Sequence, residues 1–178
     1  MTDQVNTRGL ALEFLLEVEK GALSHVALRG MLERYQYLDK QERAFLTRLC
    51  EGTLERRLEL DAIINHFSKV PVKKQKPVIR NLLRMSVYQL KYMDQVPDSA
   101  ACNEAVKLAK KRGFSRLSGF VNGVLRNISR KKETISYPKK DKDLVTYLSV
   151  TYSIPEWIIN FFKKTYDDET VEKIIASY

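Results

Sequence analysis

Glycine and proline are scarce. Seven glycines and five prolines in 178 residues leave few places where the chain must turn, and long stretches without either are usually helical. No run alternates apolar and polar side chains with period two, so no sheet is expected. There is no apolar run of about 18 residues, which excludes a transmembrane helix. The opening MTDQVNTRG lacks an apolar signal core, so the expectation is a cytoplasmic protein. Cys50 and Cys102 stand alone, with no CxxC and no histidine beside them. They are read as buried reduced thiols. His25 and His66 are far apart in helical patterns, so no metal site is expected. GxGxxG, a Walker loop, zinc spacing and a recognisable Ser/His/Asp order are all missing. No catalytic, cofactor-binding or metal-ligating residue is therefore assigned.

What is there is helical. Hydrophobic residues make up 44% of the chain, enough for a core. Leu10, Phe14, Leu15 and Val18 share a face of a first helix from about Thr7 to Lys20, which Gly21 stops. A second helix is expected from an N-cap at Ser24 to about Tyr35. Asp39, with Glu42 three residues on, has the form of a capping box for a third that reaches about Arg57. LDAIINHF (60–67) is a short fourth helix, and PVKKQKP (71–77) a loop whose Pro77 fits the first position of the fifth. That fifth helix, through YMD, is the most apolar and is expected to be central. Asp98 is expected to cap a sixth, which ends at Gly113. A seventh opens at Ser115.

After Arg130 the chain changes character. KKETISYPKKDKD (131–143) is polar and charged and reads as a linker or surface loop. Two or three helical pieces follow to Tyr178, and a last helix without a stop signal suggests a chain that continues. Trp157, in SIPEWI, is expected to pack on apolar surface within or beyond this segment, with no ligand role. The organisation expected is residues 1–134 as one helical domain and 135–178 as a linker with further helices.

One sign of charge is missing from part of the chain. Between Ala105 and Lys132 there is no Asp or Glu, and nine basic residues fall in that window. They account for the whole net charge of +9. A basic patch this local is the footprint of a polyanion partner. Within it, GFVNGVLRNISR (119–130) is two-faced. At about 100° per residue, Phe120, Val121, Val124, Leu125 and Ile128 lie within an arc of about 140°. Arg116, Gly119, Gly123, Arg126 and Arg130 lie opposite. Glycine inside a helix costs about 1 kcal/mol relative to alanine. Two of them point either to close approach of a phosphate backbone or partner, or to a neighbouring helix packed on bare backbone; periodicity leaves both open. Asn122, at the border of the faces, is expected to hydrogen-bond a neighbouring loop. Lys110, Lys111 and Lys131 extend the basic face, and Arg80, Arg84 and Lys91 share a side of the fifth helix. Tyr37, Tyr88 and Tyr92 are read as half-buried core rather than base-stacking platforms. The candidate RNA-binding residues are thus Arg116, Arg126, Arg130, Lys131, Lys110, Lys111, Arg80 and Arg84.

Read together, EGTLERRLELD (51–61), LLRMSVYQLKYMDQVPDSAACNEAVKLAKK (82–111) and GFVNGVLRNISR resemble the NusB-like domain at the N-terminus of the RsmB/Sun family. LSVTYSIPEWIINFFKKTYDDETVEKIIA (148–176) is similar to the segment that leads into that family's catalytic domain. The resemblance implies an all-α, NusB-like helical bundle followed by a short helical linker segment. It also implies a parent enzyme that uses S-adenosylmethionine to make 5-methylcytosine in small-subunit ribosomal RNA. The family's catalytic cysteines and glycine-rich cofactor loop belong to its catalytic domain, and neither motif is in this chain. Cys50 and Cys102 match neither pattern. What the resemblance implies for this chain is an accessory domain that binds and orients ribosomal RNA and contacts the methyltransferase domain. The rival is a free-standing NusB-type antitermination factor, which binds RNA and a ribosomal protein. NusB proteins usually carry an acidic residue where this chain has Arg126, and they end shortly after that helix.

Overall fold

The computed structural model describes residues 6–178. The reading of a missing signal core rests partly on residues 1–5, which lie outside the described residues. Among the described residues there are ten α-helices and no strand, and no helix is long and apolar enough to cross a membrane.

Helix α1 (Thr7–Glu19) is capped by Asn6, whose side chain accepts from the Gly9 amide. Helix α2 (Ser24–Arg34) begins at Ser24 rather than being capped by it: Leu23 holds the cap position, without a side-chain bond. Asp39 does cap α3 (Lys40–Glu55), accepting from the Glu42 amide at 2.8 Å. The chain turns at Arg56 and enters α4 (Arg57–Phe67) at once. No glycine or proline marks that turn, so tertiary contacts set it. A 3-10 turn at Val72–Lys74 interrupts the expected loop. Pro77 then opens α5 (Pro77–Tyr92).

α5 is the axle of the fold. It packs against α1, α3, α4, α6 (Asp98–Lys111) and α7 (Ser118–Lys131). Eleven of its residues, Ile79 and Asn81 through Leu90, are buried. A helix enclosed on so many sides has little solvent face, and its polar groups must find partners inside. Ser86 donates to the Leu82 carbonyl, and Gln89 to that of Met85 while accepting from Arg8. Tyr88 is buried at 8% exposure, whereas Tyr37, expected in the core, is 71% exposed. Cys50 and Cys102 are buried free thiols, and burial raises the pKa of both.

Asp98 is not the cap of α6. Pro97 stands there, and Asp98 accepts instead from Ser129 Oγ at 2.7 Å and Lys132 Nζ at 2.9 Å. It thereby ties the start of α6 to the end of α7. Gly113, in the left-handed region at φ +87°, ends α6 as expected. A 3-10 turn at Ser115–Leu117 then leads into α7, so the two helices form an antiparallel hairpin.

A second, smaller core lies in the C-terminal helices α8 (Leu144–Tyr152), α9 (Glu156–Lys163) and α10 (Asp168–Ala176). Leu148, Ile159, Val171 and Ile175 are fully buried there. Its helix α8 lies on α4. The junction is polar. The Arg56 guanidinium donates to the Thr151 carbonyl at 3.1 Å, and Ser153 Oγ accepts from the Leu58 amide at the start of α4. Arg56 also pairs with Glu59, which is 1% exposed. Lys91, Tyr92 and Tyr137 donate to the same carboxylate. Burial and the Glu59 hydrogen bond push the Tyr92 hydroxyl up to about 12. Trp157 does not pack inward: it is 70% exposed, beside Phe161 at 61%.

Candidate nucleic-acid interface

α7 buries Val121, Val124, Leu125 and Ile128 against the main core, with Phe120 half-buried at the edge. The apolar stripe read from the sequence therefore sets which way the helix faces. Its other side points outward. A Cβ built on Gly119 or Gly123 meets nothing within 4 Å. Among the described residues no neighbouring helix packs on that bare backbone, so of the two readings left open by periodicity the helix-packing one finds no partner there.

The nine cations of the acid-free window divide into two groups. Lys107 pairs with Glu104, Arg112 with Glu13 and Lys132 with Asp98. The other six are Lys110, Lys111, Arg116, Arg126, Arg130 and Lys131. Among the described residues, none of these six has a carboxylate within 4.0 Å. Lys110 and Lys111 lie in the last turn of α6, and Arg116 in the connecting turn. Arg126, Arg130 and Lys131 follow along α7. At about 1.5 Å per residue, 14 residues of α7 make a strip roughly 20 Å long. Lysines in the last turn of α6, and Arg130 and Lys131 in that of α7, also complement the helix dipoles. That accounts for four of the six and leaves Arg116 and Arg126.

Two of these arginines are held by amides. Arg126 Nε donates to Asn122 Oδ1 at 3.2 Å, and its Nη2 to Asn103 Oδ1 at 2.8 Å. Asn122 thus serves its own helix rather than a neighbouring loop. Arg130 donates to Asn127. In the sequence, the asparagine of NEAV stands out only as part of a family pattern. The three-residue and four-residue spacings within NGVLRNISR carried a signal for the other two, since side chains so spaced on a helix touch.

Arg80 and Arg84 sit elsewhere and are committed elsewhere. Arg80 Nε donates to Glu19 at 2.7 Å and its Nη1 to the Gln75 carbonyl. Arg84 is 9% exposed, and grips both oxygens of Asp61 at 2.6 and 2.9 Å. Its Nη1 donates to Asn81. Arg84 lacks the expected solvent-facing side because α5 is enclosed there, whereas Arg80 is half-buried and paired. They line an open depression of about 740 Å³ with Glu19 and Asp61, whose charges offset theirs. Lys91 is likewise held, by Glu59 at 2.6 Å.

The described residues contain no strand ending in a glycine turn, and the two glycines with positive φ, Gly21 and Gly113, close helices. No cluster of His, Cys, Asp and Glu among them has the form of a metal site.

Comparison with known proteins places these features in a family. The NusB family pattern matches residues 5–130. A probable ribosomal RNA small subunit methyltransferase B from Bacillus subtilis is 38% identical over 174 residues, 96% of this chain and 38% of that protein. The chain thus spans about two fifths of that relative's length. A transcription antitermination protein NusB from Listeria monocytogenes is 34% identical over 124 residues, 68% of this chain and 92% of that protein. The solved structure of T. maritima NusB superposes with a TM-score of 0.63 at 25% identity, over 70% of this chain and 89% of its own.

Proposed function

This chain belongs to the NusB family, and on that premise we propose that it is the RNA-binding part of a ribosomal RNA methyltransferase. Residues 1–134 form the RNA-binding bundle in this reading, and 135–178 lead to a catalytic domain. That domain would supply S-adenosylmethionine and the chemistry that methylates cytosine in small-subunit ribosomal RNA. This chain binds and orients the RNA, in the cytoplasm. The exposed Trp157 and Phe161 edge of α9 is the side on which the catalytic domain sits.

The observation that carries the reading is the strip of six cations on the α6–α7 hairpin, none of them neutralised by a carboxylate among the described residues. Phosphate contacts of this kind position a nucleic acid without reading its sequence. The longer match favours the methyltransferase over the antitermination factor: similarity to the Bacillus subtilis protein runs over 174 residues, whereas that to NusB covers 124. Arg126 favours it too, since NusB proteins usually carry an acid there.

The test is the double variant Arg126→Ala, Arg130→Ala against a fragment of small-subunit ribosomal RNA. Affinity should fall and Tm should hold. Each lost phosphate contact should flatten the slope of log affinity against log salt by about 0.7 to 0.9. Val124→Asp is the control for the fold, because it places an unpaired charge at a position 5% exposed. Wild-type affinity and slope in the arginine variant would end this reading.

A further inference from the structure

Of the six cations without a carboxylate partner among the described residues, Arg126 is anchored from two helices. Asn122 Oδ1, one turn back on α7, accepts a hydrogen bond from its Nε, and Asn103 Oδ1 on α6 accepts one from its Nη2. A guanidinium has five N–H donors, so three remain. The two anchors are neutral. They fix the plane of the group and leave its charge uncancelled.

The same hairpin shows the alternative. Just past the end of α7, Lys132 is fixed by the carboxylate of Asp98 at 2.9 Å. In the bundle interior, Arg84 is fixed by the carboxylate of Asp61. In these two pairs the cation's partner is an acid. Where Arg126 faces outward, its partners are amides. The backbone at Gly123 beside it is open to approach.

We propose that Asn103 and Asn122 are positioning residues that pre-orient the Arg126 guanidinium to receive one phosphodiester group of the bound RNA. This rests on the nucleic-acid reading above and specifies one point within it. A planar fork held in advance loses less freedom when it meets phosphate, and it favours a two-pronged contact over a diffuse one. The asparagines of CNEAV and FVNGVLR are then halves of a single device, 19 positions apart in sequence and joined through one arginine.

The test exchanges neutral anchor for charged anchor without changing shape. In Asn103→Asp the contact survives as an ion pair, so Tm should hold or rise slightly. Affinity for a short labelled single-stranded RNA should nonetheless fall, by about tenfold. The salt slope should lose about 0.7, as it should in Arg126→Ala. Asn103→Ala frees the guanidinium without discharging it, so affinity should drop less and the slope should stay. Placed in the Arg126→Ala background, Asn103→Asp should add almost nothing, since its effect runs through Arg126.

Wild-type binding and slope in Asn103→Asp would overturn the proposal. So would an equal further loss in the Arg126→Ala background, which would mean that the aspartate merely repels RNA. A loss of affinity that tracks a fall in Tm would make Asn103 a packing residue and also overturn it. If the wild-type chain fails to bind the RNA at all, the nucleic-acid reading itself falls, and this site with it.

Discussion

Tyr88 lies against α3 at Gly52 so closely that no other residue fits there. A Cβ added at Gly52 would sit 2.1 Å from Tyr88 Cζ and Oη. The contact joins α3 to the central helix α5, with Gly52 and Tyr88 both buried. Alanine would gain about 1 kcal/mol of helix propensity. Against that, overpacking typically costs about 1–3 kcal/mol, and more where the obstacle is a rigid ring. Gly52→Ala should therefore lower Tm by several degrees, read by circular dichroism. Gly52→Ala combined with Tyr88→Leu should recover part of the loss.

Arg84 should behave opposite to Arg126. Its guanidinium is nearly enclosed and bonds both oxygens of Asp61. Removing one partner of such a pair leaves the other charged and poorly solvated, at a cost of about 3 kcal/mol. Arg84→Ala should show that loss in a urea titration while the salt slope of RNA binding stays at its wild-type value. An equally stable Arg84→Ala that has lost RNA affinity would reassign the residue to the binding surface.

Acid should weaken the fold through Glu19. The hydrogen bond from Arg80 holds its carboxyl below the ordinary 4.5; burial pulls the other way, and Asn81 and Arg84 add to the lowering. A group whose pKa is lower folded than unfolded adds stability above its unfolded pKa, and that stability is lost as pH falls through the folded value. Glu19→Gln should thus be less stable than wild type at neutral pH. The gap should narrow as pH drops below about 4.5. Urea midpoints for the two proteins across that range are the measurement; a gap constant with pH would contradict it.

The C-terminal helices should loosen when Arg56 is removed. Its guanidinium joins the Glu59 carboxylate, the Tyr92 hydroxyl and the Thr151 carbonyl. Arg56→Ala strips α8 of that tie and leaves the buried Glu59 with fewer donors. Hydrogen exchange should accelerate in α8, α9 and α10 more than in α1 or α6. Uniform acceleration would mean that Arg56 serves the whole bundle.

Much of the fold was legible because it obeys local rules. The Asp39 cap, Pro77 at a helix start, Gly113 at a helix end and the α7 stripe each follow from a few neighbouring residues. Several of the errors come from contact between distant parts of the chain. Asp98 is a good cap in type, but it is taken by Lys132, 34 positions away. Arg84 looked exposed by periodicity, yet a helix expected to be central has no free side to give it. The break at Arg56 has no local marker at all. For the candidate interface, the acid-free window marks the segment, and the structure sorts its nine cations, among the described residues, into three that are paired and six that are not. The link from Asn103 to Arg126 spans two helices, so no single-helix pattern contains it.

The exposed Trp157 has a practical consequence. It is the chain's one tryptophan, and at 70% exposure it is surrounded mostly by water. Its fluorescence should emit at the long wavelengths of a hydrated indole and be quenched readily by iodide or acrylamide. Melting of the bundle core will barely change that signal, because the reporter starts out wet. Anything that covers α9 will change it strongly, shifting emission to the blue and shielding it from quencher. The chain therefore carries its own optical probe for the occupancy of that helix, independent of the α6–α7 hairpin.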